Sequence, residues 1–293
     1  MPEYHCPAAV HKAVSLLNKS EDIKIIAGGT DLMVHRRESD TEPAAYLDIT
    51  RIPRLRTVEV KRDMVWIGAA VTFAEIELSE QIGKSCDILC QAAASIGSPQ
   101  IRSCATIGGN IANASPAADS VPVLAAMQAR AELEGPKGTR CVPVEKLIVG
   151  MGKTAIASDE LLTGVYVPVL QQNTRAAFDK IGRRKALTIA RMNGACILHL
   201  EGEQIQDAQI CIGAVMNRPQ RCKAAEALLK GCRPDRRLFR QAGEAVREMV
   251  LDHTGLRASS AYKLPVVVDF TQRLLEKALM KGGCQDAAPL YFE

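Results

Sequence analysis

Two short glycine pairs constrain this chain more than any other feature. The run Lys24-Ile25-Ile26-Ala27-Gly28-Gly29-Thr30-Asp31-Leu32 comes first, and Thr106-Ile107-Gly108-Gly109-Asn110 follows it. Each sets Gly-Gly beside a hydroxyl residue at the mouth of an apolar run. Glycine reaches positive φ and lets a ligand approach the main chain closely. Successive exposed N–H groups in such a turn form an anion-binding nest. One pair reads equally well as a plain strand-to-helix turn. Two in one chain suit a ligand with two linked phosphates, a dinucleotide pyrophosphate. The first loop does not fit Gly-x-Gly-x-x-Gly, so the Rossmann fingerprint is absent. It also lacks the Gly-Lys-Ser/Thr ending of a P-loop. Asp31 would repel a phosphate that it faced and is expected to accept hydrogen bonds from the loop's own amides.

Composition narrows what surrounds these loops. A length of 293 residues predicts two or three domains. With 47% hydrophobic and 24% charged residues the chain reads as an ordinary globular protein. The net charge is +4, and the densest basic cluster, Arg183-Arg184-Lys185, is too short for a nucleic-acid footprint. Aromatic content of 4% is poor material for base-stacking platforms. No apolar run approaches the roughly 18 residues of a membrane span. The start, Met1-Pro2-Glu3-Tyr4-His5, lacks a signal-peptide layout, so a cytoplasmic location is expected.

The ten cysteines form no Cys-x-x-Cys, and the closest two, Cys86 and Cys90, have no second half. Zinc and iron–sulfur sites need tighter clustering. The cysteines are therefore read as small buried hydrophobes, and no metal site is expected. His5, His11, His35, His199 and His253 are scattered and form no triad or metal pair. No catalytic residue is assigned.

The periodicity predicts a helix over 8–19, strands at Ile23–Ile26 and Ala45–Ile49, and a hairpin from Leu55–Val60 and Met64–Ala69. Thr72 with Glu75 has the spacing of a capping box. Helical spacing follows over 86–97 and from Ser120 to Met127. A second hairpin is expected from Ala129–Glu134 and Thr139–Val142, then a strand Leu161–Val167 stopped by Pro168. Three β-like segments, Ala176–Ile181, Ala195–Leu200 and Asp207–Val215, precede a helical remainder over 220–281, broken near Gly231–Pro234 and Thr254–Gly255. Strands and short helices, then three strands, then helices: the class is α+β. Around the second glycine pair, Ser115, Asp119 and Ser120 are short polar groups able to bond sugar or polyol hydroxyls. Asp119 or Ser120 could equally cap a helix entered through Pro122.

Taken in order, Lys24 to Leu32, Thr106 to Asn110 and Ser115-Pro116-x-x-Asp119 resemble the FAD-binding medium subunit of molybdenum hydroxylases, the family of xanthine, carbon monoxide and nicotinate dehydrogenases. The resemblance continues through Asp159-Glu160-Leu161-Leu162, Phe178 to Arg184 and Arg257 to Lys263, and covers nearly the whole chain. It implies a two-subdomain FAD-binding fold of the PCMH/VAO type over 1–170, divided at about 55. A C-terminal domain over 175–285 would follow, built of a three-stranded antiparallel sheet plus helices. Lys24 to Asp31 would wrap the FAD pyrophosphate, with Leu32 near the flavin. Thr106 to Asn110 would give further phosphate and ribityl contacts. Asp119 matches an acidic contact to FAD hydroxyls, Ile96 and Leu162 match apolar contacts, and Lys180 matches a basic one. FAD would be non-covalent, because Thr30-Asp31 stands in the loop where other members of the broader fold attach flavin through a histidine.

By the same resemblance, molybdopterin and the 2Fe-2S clusters belong to large and small partner subunits. This chain would pass electrons through FAD to NAD⁺ or another acceptor, with a purine or N-heterocycle as the substrate of the complex. A stand-alone FAD oxidoreductase and a flavin-free assembly protein are the alternatives.

Overall fold

A computed structural model describes residues 1–38, 41–184 and 187–280. Lys185 of the basic cluster, Cys284 and the end of the expected C-terminal domain at 285 lie outside the described residues.

The first layer alternates strand and helix: β1 (Glu3–His5), α1 (Val10–Leu17), β2 (Ile23–Ile26), α2 (Leu32–Glu38) and β3 (Ala45–Asp48). The strands pair in the order β1-β3-β2, all parallel, with Glu3 and Ile23 both opposite Ala45. Parallel neighbours need a crossover, and α1 and α2 supply it. Val10, Ala13, Val14 and Leu17 recur at helical spacing and are the buried stripe of α1. They pack on Leu47, Ile49, Ile52 and Leu55, and this core also takes in Ala70 and Leu161 of the next layer. By contrast, α2 buries no side chain.

A 3₁₀ turn (Pro53–Arg56) leads into the second layer. Its strands are β4 (Val58–Lys61), β5 (Met64–Gly68), β6 (Arg130–Gly135), β7 (Gly138–Pro143) and, after a small β8 (Ile148–Gly150) and β9 (Lys153–Thr154) hairpin, β10 (Leu161–Pro168). β4-β5-β10-β6-β7 form one antiparallel sheet containing both expected hairpins. The same layer carries α3 (Phe73–Leu78), α4 (Glu80–Ala94), α5 (Pro99–Cys104), α6 (Ile107–Asn113), α7 (Ser120–Ala126) and the short α8 (Val144–Leu147), of which α4 and α6 pack on β10 and α8 on β6. The capping box forms as the spacing predicts. Glu75 N–H donates to Thr72 Oγ1 at 3.2 Å, and Thr72 N–H donates to Glu75 Oε2 at 2.7 Å. The helix expected over 86–97 starts earlier, at the Ser79 cap, and carries a non-helical Cys86 (φ −158°) inside it.

The third layer holds β11 (Thr174–Ile181), β12 (Met192–Glu201) and β13 (Gln204–Gly213), the three expected antiparallel strands. A two-residue β14 (Gln220–Arg221) adds a fourth that was too short to show periodicity. Helices α9 (Lys223–Leu229), α10 (Arg236–Thr254) and α11 (Ser260–Met280) cover one face, with Phe239, Val246, Phe270 and Leu274 in the core. On the other side Phe178, Ala195, Ile197 and Cys211 join the core of the second layer, so the two share one apolar interior. Cysteines divide. Cys86, Cys196, Cys211 and Cys222 are buried as expected, while Cys104 and Cys141 are exposed. Burial pushes the Cys86 and Cys196 thiols up to about 12.

Candidate functional site

The turn from β2 into α2 opens the main cavity. Ile49 N–H closes the strand on the Ile26 carbonyl, and beyond it the backbone peels away. Gly29 sits at φ +67°, a left-handed conformation that favours glycine. The carbonyls of Gly29 and Asp31 accept from Met33, Val34 and His35 and start α2. Among the described residues, the five amides of Gly28, Gly29, Thr30, Asp31 and Leu32 have no protein acceptor. The Asp31 carboxylate takes none of them, contrary to expectation.

The second glycine pair differs from its expected form. It is the first turn of α6 and its amides are already used. Ile107 N–H donates to Val71 O at 3.0 Å and Gly108 N–H to Ala69 O at 2.9 Å. Asn110 N–H donates to Thr106 O at 3.0 Å, and Gly109 N–H to the Thr106 hydroxyl at 3.1 Å. Glycine is needed at 108 for packing, since a Cβ there would stand 2.5 Å from Ala69 Cβ. Gly28 has a similar duty: its Cβ would stand 2.0 Å from the Cys104 carbonyl oxygen. That close approach docks the first turn against the end of α5, just ahead of Thr106, and so brings the two glycine segments together.

Between them lies a cavity of about 940 Å³, at the upper end of the roughly 300–1,000 Å³ typical of ligand sites. Of the residues proposed from sequence, Ile25, Ala27 to Leu32, Ile96, Thr106, Gly108, Gly109, Asn110, Asp119, Leu162 and Lys180 line it. Lys24, Ile26 and Ile107 do not. Lys24 is exposed on β2, Ile26 is half-buried beside it, and the Ile107 side chain lies in the core.

Ser120, read as able either to bond a ligand hydroxyl or to cap the helix, is fully buried outside the cavity. Its hydroxyl donates to Asn110 Oδ1 at 2.7 Å, which leaves the Asn110 Nδ2 hydrogens free for the cavity. Leu161 and Leu162 of β10 both line the cavity, although Leu161 packs in the core of the first layer and Leu162 in that of the second. Ser98, Ile101, Ile156 to Ser158 and Leu187 to Ile189 also line it and were missed, because apolar or small residues in loops and in a six-residue helix carry no periodic signal.

Asp119 does not cap α7 with its side chain. The carboxylate is buried, and two of its partners come from the third layer. Lys180 on β11 donates to Oδ2 and Asn193 on β12 donates to Oδ1 at 2.8 Å. Lys180 Nζ also donates to the Ser95 carbonyl at 3.0 Å. Burial raises the Asp119 carboxyl above the ordinary value of 3.8, against the pull of Lys180 and Asn193.

A second cavity of about 910 Å³ adjoins the first and shares Gly97, Lys180, Leu187 and Thr188 with it. Arg102, Arg183, Arg184, Arg273 and Lys277 face it, against Asp179. Among the described residues, no group of three or more His, Cys, Asp or Glu is arranged to hold a metal ion, and no helix is long and apolar enough to cross a membrane.

A row of open amides, a nearby amide donor, a buried carboxylate and apolar walls define a nucleotide-cofactor-binding protein of the α+β class. Comparison with known proteins agrees. The family described as FAD binding domain in molybdopterin dehydrogenase matches residues 1–170, and the CO dehydrogenase flavoprotein C-terminal domain matches 176–278. The xanthine dehydrogenase FAD-binding subunit of Escherichia coli O157:H7 is 28% identical, covering 96% of this chain and 97% of its own. The nicotinate dehydrogenase FAD-subunit of Eubacterium barkeri is 30% identical, covering 97% and 99%. A solved carbon monoxide dehydrogenase chain from Hydrogenophaga pseudoflava superposes with TM-score 0.90 at 28% identity, over 96% of this chain and 98% of that one. The chain belongs to the FAD-binding subunit family of the molybdopterin dehydrogenases. It is an oxidoreductase component whose cofactor is FAD.

Proposed function

We propose that the chain is the FAD-carrying electron-transfer subunit of a three-part molybdenum hydroxylase complex. The carrying observation is the row of five amides, Gly28 to Leu32, without protein acceptors along a cavity of suitable size. Backbone N–H groups pair almost everywhere in proteins, and a pyrophosphate supplies the oxygens this row lacks. The remaining roles follow from chemistry. Asn110 donates to phosphate or ribityl oxygens, Thr106, Gly108 and Gly109 form the wall beside it, and Asp119 accepts from hydroxyls. Ile96, Leu32 and Leu162 pack on the rings, and Lys180 lies against the cofactor as a cation. Lys24, Ile26 and Ile107 brace the two segments from outside the cavity.

When bound, FAD takes up electrons singly or in pairs and so joins one-electron carriers to a two-electron acceptor. The chain's own work is to bind and orient it, without a covalent link. Partner subunits bearing 2Fe-2S clusters and molybdopterin supply the electrons. Similarity to xanthine and nicotinate dehydrogenase subunits supports a purine or N-heterocycle as the substrate. The basic second cavity supports NAD⁺, or another anionic acceptor, as the electron sink. We assign residues 1–170 to FAD binding (subdomains meeting at about 55), 175–285 to the C-terminal domain, and the complex to the cytoplasm. An absorbance spectrum of the purified full chain tests the core of this reading. Flavin bands at one FAD per chain, with one larger and one smaller subunit co-purifying, are expected. A chain that stays colourless after incubation with FAD overturns it.

A further inference from the structure

The cavity wall at Ala117, Ala118 and Asp119 is held from behind by a side chain that never reaches the cavity. Asn193 is fully buried on β12. Its Nδ2 lies 2.8 Å from Asp119 Oδ1, 3.3 Å from the Ala118 carbonyl and 3.4 Å from the Ala117 carbonyl. An amide NH₂ has two protons, so these three acceptors share it, with the carboxylate nearest. On its other side Asn193 Oδ1 has no partner among the described residues and would stand 2.4 Å from a Cβ at Gly213, its neighbour on β13. A buried acceptor left without a donor is rare and calls for a reason. The reason here is the NH₂ end, which no carboxylate or hydroxyl of the same shape would reproduce. Lys180 takes the other oxygen of Asp119, so strands of the third layer tie both oxygens.

We propose that Asn193 is a positioning residue for the cofactor site. Its amide fixes the Asp119 carboxylate and the 117–119 turn in the orientation that receives cofactor hydroxyls, so the site is incomplete without the C-terminal sheet. The inference rests on Asp119 being an FAD contact, as read above. Lys180 from β11 is the charged group facing Asp119, and Ser95, at the end of α4, also approaches it. Asp179 is already engaged by Arg273 and Lys277 around the neighbouring cavity. Removing a donor from a carboxylate favours its protonated form, so loss of Asn193 shifts where acid weakens FAD binding.

The full chain, stripped of flavin and titrated with FAD by fluorescence quenching over about pH 5 to 8, tests this. Asn193→Leu, similar in size and without a donor, is expected to bind FAD about ten- to a hundredfold more weakly, with the acid limb moved up by about one pH unit. Asn193→Asp sets a second carboxylate against the first and is expected to lose more. Binding within twofold of the unmodified chain overturns the proposal. So does a loss equal at every pH with a lowered melting temperature, which marks a merely structural residue. If Asn193→Leu fails to fold by far-UV circular dichroism, Asn193→Ser, which keeps one hydroxyl donor, is expected to show a smaller loss and the same direction of shift. Asp119→Ala separates the two readings. Tight FAD binding there removes the role of Asp119 and the proposal with it. Weak binding there beside a normal Asn193→Leu removes only the proposal.

Discussion

At Gly28-Gly29 five successive amides are left without a protein acceptor among the described residues, whereas at Gly108-Gly109 the amides of Ile107 to Asn110 all have one. The two segments share a Gly-Gly pair, a neighbouring threonine and a place on the same cavity. They differ in what surrounds the backbone. The first lies between a parallel edge strand and a helix that buries nothing, so its amides meet open space. The second is pressed on Ala69 and Val71, whose carbonyls take its N–H groups. One glycine pair offers donors to a ligand; the other builds the wall that holds the first in place.

Substitutions can break this contrast. The largest effects are expected at the two close approaches. Gly28→Val drives a side chain into the Cys104 carbonyl and Gly108→Val drives one into Ala69. Each is expected to destabilise by about 1–3 kcal/mol or more, read as a lowered urea midpoint. Gly28→Val should also abolish FAD binding, because it moves the open amides. If Gly108→Val keeps its stability, the packing role assigned to the second pair is wrong.

Gly29→Ala and Gly109→Ala separate the pairs more finely. At Gly29 the space is adequate but φ is +67°, so the strain is in the backbone, of order 1 kcal/mol. FAD affinity should fall about tenfold as the turn relaxes. At Gly109 the added methyl meets only Thr106 Oγ1, at 3.0 Å. Alanine there also favours the helix by up to about 1 kcal/mol, so stability should change little. Equal losses of FAD affinity at both sites would erase the distinction.

The smallest effect concerns Glu75, in the capping box beside the second pair. Burial alone would raise its carboxyl, but the Thr72 amide and hydroxyl, with Arg56, hold it below its ordinary 4.5. A depressed carboxyl contributes stability that is present above 4.5 and is lost as pH falls through the folded value. The difference in melting temperature between the unmodified chain and Glu75→Gln should therefore be small at neutral pH and vanish in acid. A difference that grows on acidification contradicts this.

Much of the fold was legible because it is local. The stripe Val10, Ala13, Val14, Leu17 needs only helical spacing. Both hairpins of the second layer announce themselves by alternation around short turns, and Thr72 with Glu75 is complete within four residues. The short β14 and the early start of α4 were not, since two residues carry no period and a kink at Cys86 breaks one. Within the site, the glycine pairs and the resemblance they carry picked out the segments that line the cavity. They could not tell which pair has free amides. An amide's freedom depends on whether another segment's carbonyl stands opposite it, and Ala69 and Val71 lie more than 30 residues away in sequence.

The same division holds for the molecule as a whole. Sequence by itself determined most of the longer strands and helices, the two glycine pairs and the family to which they point, because turn chemistry and periodicity are written in neighbouring residues. Tertiary structure alone decided that Asn193 and Lys180, from the third layer, hold Asp119 of the second. It likewise decided that Ser120 serves Asn110 rather than a ligand, and that Gly28 rests on Cys104. Each of these is a contact between residues at least ten apart, fixed by how buried groups find partners once the layers close.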